Sequence, residues 1–186
     1  MSESILLVSV IAAGTLALLF VSRRCLLQPR AHGFYRFFAF EAVFLLLVIN
    51  VRFWFHEPLT VLHVFSWILL TASAVLAIQG FLTLKHAGRP SSQPVQGPEF
   101  RFEQTSKLVT SGVYRFIRHP LYASLLYLAW GIFFKDVSLT SSILVVIASI
   151  FLIATAKVEE GENLRHFGDQ YQGYVRRTKM FIPYVY

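Results

Sequence analysis

The chain alternates long apolar runs with short polar islands. Five runs stand out, at residues 5–21, 37–55, 59–84, 121–134 and 137–156. The first and the last contain no charged residue. The second is interrupted by Glu41, Asn50 and Arg52, and the third has only His63 and Gln79 as strongly polar members. Crossing a bilayer takes about 20 residues of helix, with a range of roughly 17–25. Four of the runs meet that length. The run at 121–134 is short alone, but a helix from His119 through Lys135 would cross with its ends at the interface. Every backbone N–H and C=O in lipid must be bonded internally, which makes helix the default. The expected fold is therefore all-α, a polytopic membrane protein with five transmembrane helices in one domain, residues 1–186. Residues 1–86 supply three spans, 87–118 a loop, and 119–186 a helical hairpin followed by a polar helical tail. Only Lys135-Asp136 separates the last two runs, so spans four and five are expected to form a tight hairpin.

Composition and charge sharpen this picture. Of 186 residues, 55% are apolar and 15% charged, where a soluble domain carries about a quarter charged. The net charge of +7 would fit a nucleic-acid partner if it were gathered on one patch. It is instead distributed by span. Fifteen Lys and Arg residues fall between spans one and two, between three and four, and after five, against two (Arg52 and Lys135) on the other side. That is a positive-inside pattern, which places the N-terminus outside and the C-terminus in the cytoplasm. The charge is read as topology and headgroup contact, not nucleic-acid binding. Cys25 is the only cysteine, so neither an intrachain disulfide nor a cysteine metal cluster is expected. Residues 1–21 lack a basic leader and a small-residue cleavage site, and are read as a retained span. Residues 87–106 are rich in Pro, Gly and Ser and read as a loop.

Candidate chemistry sits in two polar islands. The first ends in Arg118-His119-Pro120. Proline suits the first position of a helix, where its missing N–H would be unpaired anyway. His119 then occupies the cap position beside unpaired backbone donors, which attract an anion. The plainer reading is a basic anchor that starts a span. The second island begins at Glu159-Glu160, directly after the last apolar run. It is either a solvated helix end, where acids oppose the macrodipole, or a pair with one carboxylate turned inward to hold a cation. Glu41 and Arg52 lie near opposite ends of span two, too far apart to pair, and are read as snorkelling. His63 is read as a packed or interfacial histidine. Tyr171, Tyr174, Tyr184 and Tyr186 give the tail an interfacial character. There is no Gly-x-Gly-x-x-Gly, P-loop, nucleophile elbow or His-Glu-x-x-His; His56-Glu57 lacks the second histidine.

Residues 108–122 read Leu-Val-Thr-Ser-Gly-Val-Tyr-Arg-Phe-Ile-Arg-His-Pro-Leu-Tyr. Further on come Glu159-Glu160, Leu164, Phe167-Gly168, Tyr171, Tyr174 and Pro183. In order and spacing this resembles the isoprenylcysteine carboxyl methyltransferase family, a relative of the phospholipid N-methyltransferases. The resemblance covers roughly residues 105–186; the first three spans match only as spans. It implies S-adenosylmethionine as methyl donor, bound without a dinucleotide fold. Carried over by position, the cofactor contacts would be Ser106, Lys107, Leu108, Val109, Tyr114, His119, Pro120, Leu121, Tyr122, Glu159 and Glu160. The helix start at His119 suits the cofactor's carboxylate and Glu160 its ammonium, and these two residues are also the catalytic candidates. One position departs from the pattern. Where the prenylcysteine enzymes have a substrate-binding arginine about one turn before the second glutamate, this chain has Ala156. Lys157 is the nearest substitute, though a point charge lacks arginine's bidentate fork.

The expected activity is methyl transfer to a lipid-like or prenylated acceptor drawn from the bilayer, with no metal required. A carboxylate acceptor is already ionised at neutral pH, whereas an amine must first lose a proton to a base. An isoprenylcysteine-type carboxylate is therefore preferred over a phospholipid amine. A nicotinamide-dependent lipid reductase, whose family has a similar C-terminal region, and a non-enzymatic scaffold are the readings from other classes.

Overall fold

The computed structural model describes residues 3–56, 58–87 and 107–185, and among these it is built of helix with no strand beyond one isolated bridge. In chain order the elements are α1 (Glu3–Leu26), α2 (His32–Asn50) with a 3-10 turn at Val51–Phe53, and α3 (Val61–Ala87). A second 3-10 turn at Gly112–Arg115 precedes α4 (Pro120–Phe133), α5 (Leu139–Phe167) and α6 (Asp169–Arg177).

Four helices are long and apolar enough to cross a membrane: Glu3–Leu26, His32–Phe53, Val61–Ala87 and Leu139–Phe167. The fifth expected span falls short. α4 has 14 residues, about 21 Å of helix, against roughly 30 Å of hydrocarbon. It does not run from His119 to Lys135, because Phe134 closes its last turn and the chain bends there. Its start is also recessed. A Cβ added at Gly80 would meet Leu121 and Pro120 at 3.1 and 3.4 Å, so α4 begins level with Gly80. α3 continues to Ala87, about 10 Å further. That step leaves a hollow above the first turn of α4.

α5 departs from expectation in the opposite direction. Its apolar run ends at Ala156, but the helix continues to Phe167 and is capped by Gly168, whose φ of 55° favours glycine. Glu159 and Glu160 are therefore interior to a helix and not at its end. The eleven residues past Ala156 carry the helix about 16 Å beyond the apolar run, alongside the hollow.

The bundle packs mainly as two pairs, α2 on α5 and α3 on α4, with α1 against α2. Contacts between α4 and α5, joined through residues 134–138, are fewer than those each makes with its other partner. Lipid gives helices no hydrophobic drive to associate, so close approach by small residues and hydrogen bonds must hold them. Ser66 and Ser73 of α3 donate to the carbonyls of Gly131 and Ser124 of α4 at 2.6 and 2.7 Å. Asn50 of α2 donates to Ser141 of α5 at 3.1 Å, and both are fully buried. Ala39, Ala123, Leu152 and Ala156 meet in one apolar cluster, and Leu46, Ala129, Ile132 and Ala148 in the other. α1 buries only Cys25 and leaves its apolar side chains exposed, as a helix facing lipid would.

The polar residues inside the spans behave as packing groups. Glu41 accepts from Thr15 of α1, and the Arg52 guanidinium lies over Phe53. His63 is buried with Nε2 2.9 Å from the Lys135 carbonyl. The Lys135 ammonium in turn lies 3.5 Å from the centre of the Trp67 ring.

The α3–α4 contact supplies a paired test. A Cβ at Gly131 would meet Leu70 Cδ2 at 2.9 Å and the Leu70 backbone nitrogen at 3.3 Å, whereas one at Gly161 meets nothing within 4 Å. Gly131→Val is expected to lower stability by about 2 kcal/mol through overpacking. Gly161→Ala is expected to raise it by about 1 kcal/mol through helix propensity. Thermal unfolding in detergent, followed by tryptophan fluorescence, measures both.

Candidate functional site

The hollow above α4 is walled by four stretches that are distant in sequence. Its floor is the start of α4, where His119 is the cap residue in non-helical backbone and Pro120 takes the first helical position. The N–H groups of Leu121 and Tyr122 have no earlier helical carbonyl to bond. The first ordinary helical bond runs from Ala123 N to His119 O at 2.9 Å.

The C-terminal residues hold this floor in place. Lys179 N donates to Phe116 O at 3.1 Å, Arg118 N to Lys179 O at 2.8 Å, and His119 N to Met180 O at 3.2 Å. This is the parallel bridge between Ile117 and Lys179. Met180 and Phe181 are buried beneath it with Ile117 and Tyr122. The side chain of Arg118 reinforces the join, donating from Nε to Glu160 Oε1 at 2.5 Å and from its guanidinium to the carbonyls of Thr178 and Val175 at 2.5 and 3.3 Å.

The two carboxylates thereby take different positions. Glu160 is engaged by Arg118. Glu159 faces the hollow, where the Tyr122 hydroxyl donates to its Oε2 at 2.5 Å. His119 lies between them, with Nδ1 3.7 Å from Glu159 Oε1 and Nε2 3.4 Å from Glu160 Oε1. The Nε2 atom is buried without a hydrogen bond of good geometry. The imidazole stacks on the Tyr122 ring, 5.6 Å between centres and 21° between planes.

α6 closes one side. Its buried residues are Tyr171 and Tyr174, and the Tyr174 hydroxyl donates to Tyr114 O at 2.6 Å. Burial pushes both phenols above their ordinary value, and for Tyr171 the Glu160 charge adds to that. Both stay protonated throughout the physiological range, and the Tyr171 hydroxyl is buried without a hydrogen bond of good geometry. The resulting cleft has about 660 Å³ of empty space, counting its open mouth. Arg118, His119, Glu159 and Asn163 form its polar wall. Leu84, Leu108, Val109, Tyr114, Pro120, Leu121, Tyr122, Phe167, Tyr171 and Tyr174 form the apolar and aromatic remainder.

Most residues singled out from sequence meet here: Leu108, Val109, Tyr114, His119, Pro120, Leu121, Tyr122 and Glu159 all line the cleft. Glu160 stands behind it, held by Arg118. Lys107 is exposed and does not line it, and Ser106 lies outside the described residues. Lys157 is exposed and also lies off the cleft. Ala156 is fully buried in the apolar cluster with Ala39 and Ile117. From sequence, Arg118 reads only as a basic anchor and Phe167 only as part of the family pattern, while Asn163 and Leu84 have no assigned role. Glu159, Asn163 and Phe167 are four apart, which sets them on one helix face; that spacing was the available signal. A further pair, His32 Nδ1 to Glu162 Oε2 at 2.5 Å, ties the start of α2 to the extension of α5. No metal-binding group occurs among the described residues.

A family model described as phospholipid methyltransferase matches residues 61–170, more than half of the chain. That stretch takes in α3, α4 and α5 and every lining residue except Tyr171 and Tyr174. No curated protein and no solved structure matches the chain.

Arg118 and Lys157 should differ sharply on truncation. Arg118→Ala leaves Glu160 with a lost cation and frees two carbonyls, and is expected to destabilise by about 3 kcal/mol, as breaking a buried pair does. Lys157→Ala, on an exposed site, is expected to stay within about 0.5 kcal/mol of the parent. Thermal unfolding of the two proteins in the same detergent checks this.

Proposed function

Because the chain belongs to the phospholipid methyltransferase family, we propose that it moves a methyl group from S-adenosylmethionine to a nucleophile on a lipid-like acceptor held in the bilayer. The observation that carries this reading is the cleft's donor set. A helix start with unpaired N–H groups suits a carboxylate, and the Glu159 carboxylate at the wall suits an ammonium. The apolar side chains of Leu84, Leu108, Val109 and Leu121 suit an adenine ring. When bound, the cofactor supplies an electrophilic methyl group on a positively charged sulfur.

In this reading Glu159, and not Glu160, receives the ammonium. Tyr122 and His119 fix the orientation of Glu159, and Arg118 and Glu160 lock the floor to the C-terminal residues. Tyr171 and Tyr174 exclude water from one side. The chain's contribution is mainly proximity and alignment, which for well-oriented groups removes about 7–11 kcal/mol of a barrier. The acceptor's lone pair forms the new bond to the methyl carbon as the carbon–sulfur bond breaks, and the sulfur keeps the bonding pair.

For the acceptor, Glu160 is bound to Arg118 and Glu159 is the group assigned here to the cofactor's ammonium, so neither carboxylate is left to act as a base. A nucleophile that arrives ionised, such as a prenylcysteine-type carboxylate, needs no base. A second observation favours a phospholipid amine. Ala156 is buried where the prenylcysteine enzymes carry their substrate arginine, and Arg118, the one arginine lining the cleft among the described residues, is bound to Glu160.

Calorimetry with S-adenosylmethionine and its demethylated product tests the site. Saturable binding is expected, weakened about tenfold to a hundredfold in Glu159→Gln through loss of a charge-assisted bond, and unchanged in Lys157→Ala. No binding by a folded wild-type sample overturns the reading. The acceptor classes separate by pH. Below an amine's pKa of about 10, methylation of phosphatidylethanolamine should rise about tenfold per pH unit unless a base intervenes. Methylation of a farnesylcysteine-type carboxylate should be flat from pH 6 to 9, well above the carboxylate range of about 4. Transfer of labelled methyl to each acceptor in nanodiscs distinguishes them.

A further inference from the structure

We propose that the C-terminal strap, residues 178–185, and the turn before α4 form a docking surface for anionic lipid headgroups, and that seating there tightens the cleft.

Three observations meet on this surface. The first is charge. Residues 107–122 and 170–185 contain no Asp or Glu, yet carry Lys107, Arg115, Arg118, Arg176, Arg177 and Lys179. Arg118 is spent on Glu160, whereas Arg115, Arg176, Arg177 and Lys179 are exposed. The second is apolar exposure beside those charges. Phe116 is 45% exposed, Ile182 38%, Tyr184 83% and Val185 70%, and the rings of Phe116 and Tyr184 lie 6.5 Å apart. Bulky apolar side chains flanked by Lys and Arg are what an interfacial surface carries.

The third observation is depth. α3 has 27 residues, about 40 Å, which matches a bilayer of about 40–45 Å with its headgroups. The turn before α4 abuts α3 near its end, since a Cβ at Gly112 would meet Thr83 at 2.7 Å. Thr83 is four residues from Ala87, about 6 Å inside that end. The exposed Phe116 shares a shallow groove with Gln79 and Leu82 of α3. The surface therefore lies at headgroup level, and the occupant available there is the bilayer around the protein. Anionic headgroups complement the charge; zwitterionic ones do not.

Coupling to the cleft is direct. The strap's backbone bonds are the ones that hold Phe116, Arg118 and His119. A strap pressed onto headgroups fixes the cleft floor, and a strap lifted from them loosens His119. The cleft part of this proposal rests on the cofactor reading above; the lipid contact does not.

Hydrogen exchange by mass spectrometry on the full chain tests the contact. The protein is placed in nanodiscs of phosphatidylcholine and in nanodiscs with a third phosphatidylserine. Strap peptides are expected to exchange more slowly in the anionic discs, by about fivefold for each basic residue engaged. Arg115→Gln/Lys179→Gln should shrink the difference severalfold, with Arg176 and Arg177 remaining, and Arg23→Gln/Arg24→Gln, an equal charge change on α1, should keep it in full. Equal exchange in the two discs overturns the proposal, as does an undiminished difference in Arg115→Gln/Lys179→Gln. So does equal protection by inorganic phosphate in neutral discs, or protection that follows protein concentration, which would assign the surface to a second copy. In the same discs, cofactor affinity is expected to be severalfold higher with phosphatidylserine, and equal affinity overturns the coupling. Absence of cofactor binding in both discs would instead overturn the functional reading, and leave the lipid contact to be judged by exchange alone.

Discussion

Arg118 holds together three stretches of chain that would otherwise only touch. Its backbone joins the strap at Lys179, its Nε reaches Glu160 on α5, and its guanidinium caps the carbonyls of Val175 and Thr178. Each partner needs the others. The last carbonyls of α6 lack acceptable helical donors, and Glu160 sits in the interior of a helix beside a largely apolar wall. A guanidinium, with five donors in a fixed fork, satisfies both at once. A lysine, whose donors all sit on one nitrogen, lacks the fork that reaches Glu160 from one atom and the carbonyls from another, so the floor of the cleft would lose its fixed position relative to α5.

That join works because the helices around it have unequal lengths. α4 begins too deep to reach the end of α3, and α5 continues well past its own apolar run to line the same cleft. A bundle of equal spans would present a flat end with no hollow. The pairing of α3 with α4 by Ser66 and Ser73, and of α2 with α5 through Asn50, sets this offset firmly. His32 and Glu162 then brace the part of α5 that stands clear of the apolar run. The cleft is thus a consequence of packing in lipid, and its polar lining is confined to the end where water and lipid meet.

The helices were legible in the sequence because hydropathy over twenty residues is a strong signal. The two errors share a physical cause. Hydropathy reports where lipid is tolerated, not where a helix begins or stops. α5 runs on past Ala156 through Lys157, Glu159, Glu160 and Glu162, residues that favour helix while ending the apolar run. α4 ends early because the chain turns at Phe134, one residue before the Lys135-Asp136 break in the apolar pattern. The cleft was legible where its residues cluster in one motif, from Leu108 to Tyr122. It was illegible where long-range contact decides. The two carboxylates look alike in sequence, and only a strap 60 residues beyond Arg118 turns that arginine toward one of them.

The division between the carboxylates bears on how the site would turn over. Glu160 and Arg118 cancel one another, which leaves the Glu159 charge as the uncompensated one on the cleft wall. On the proposed reading the donor arrives with sulfonium, ammonium and carboxylate, one positive charge in sum. Its product, having lost the methyl group, has none. In a partly dry cleft a single charge is worth more than in water, so Glu159 would favour the donor over its product. Had both carboxylates been free, the cleft would hold its donor more strongly but would also need a second cation to be stable. Had neither been free, donor and product would compete on nearly equal terms. One engaged acid and one open acid give attraction for the donor without an unpaired excess, and that asymmetry is what Arg118 creates.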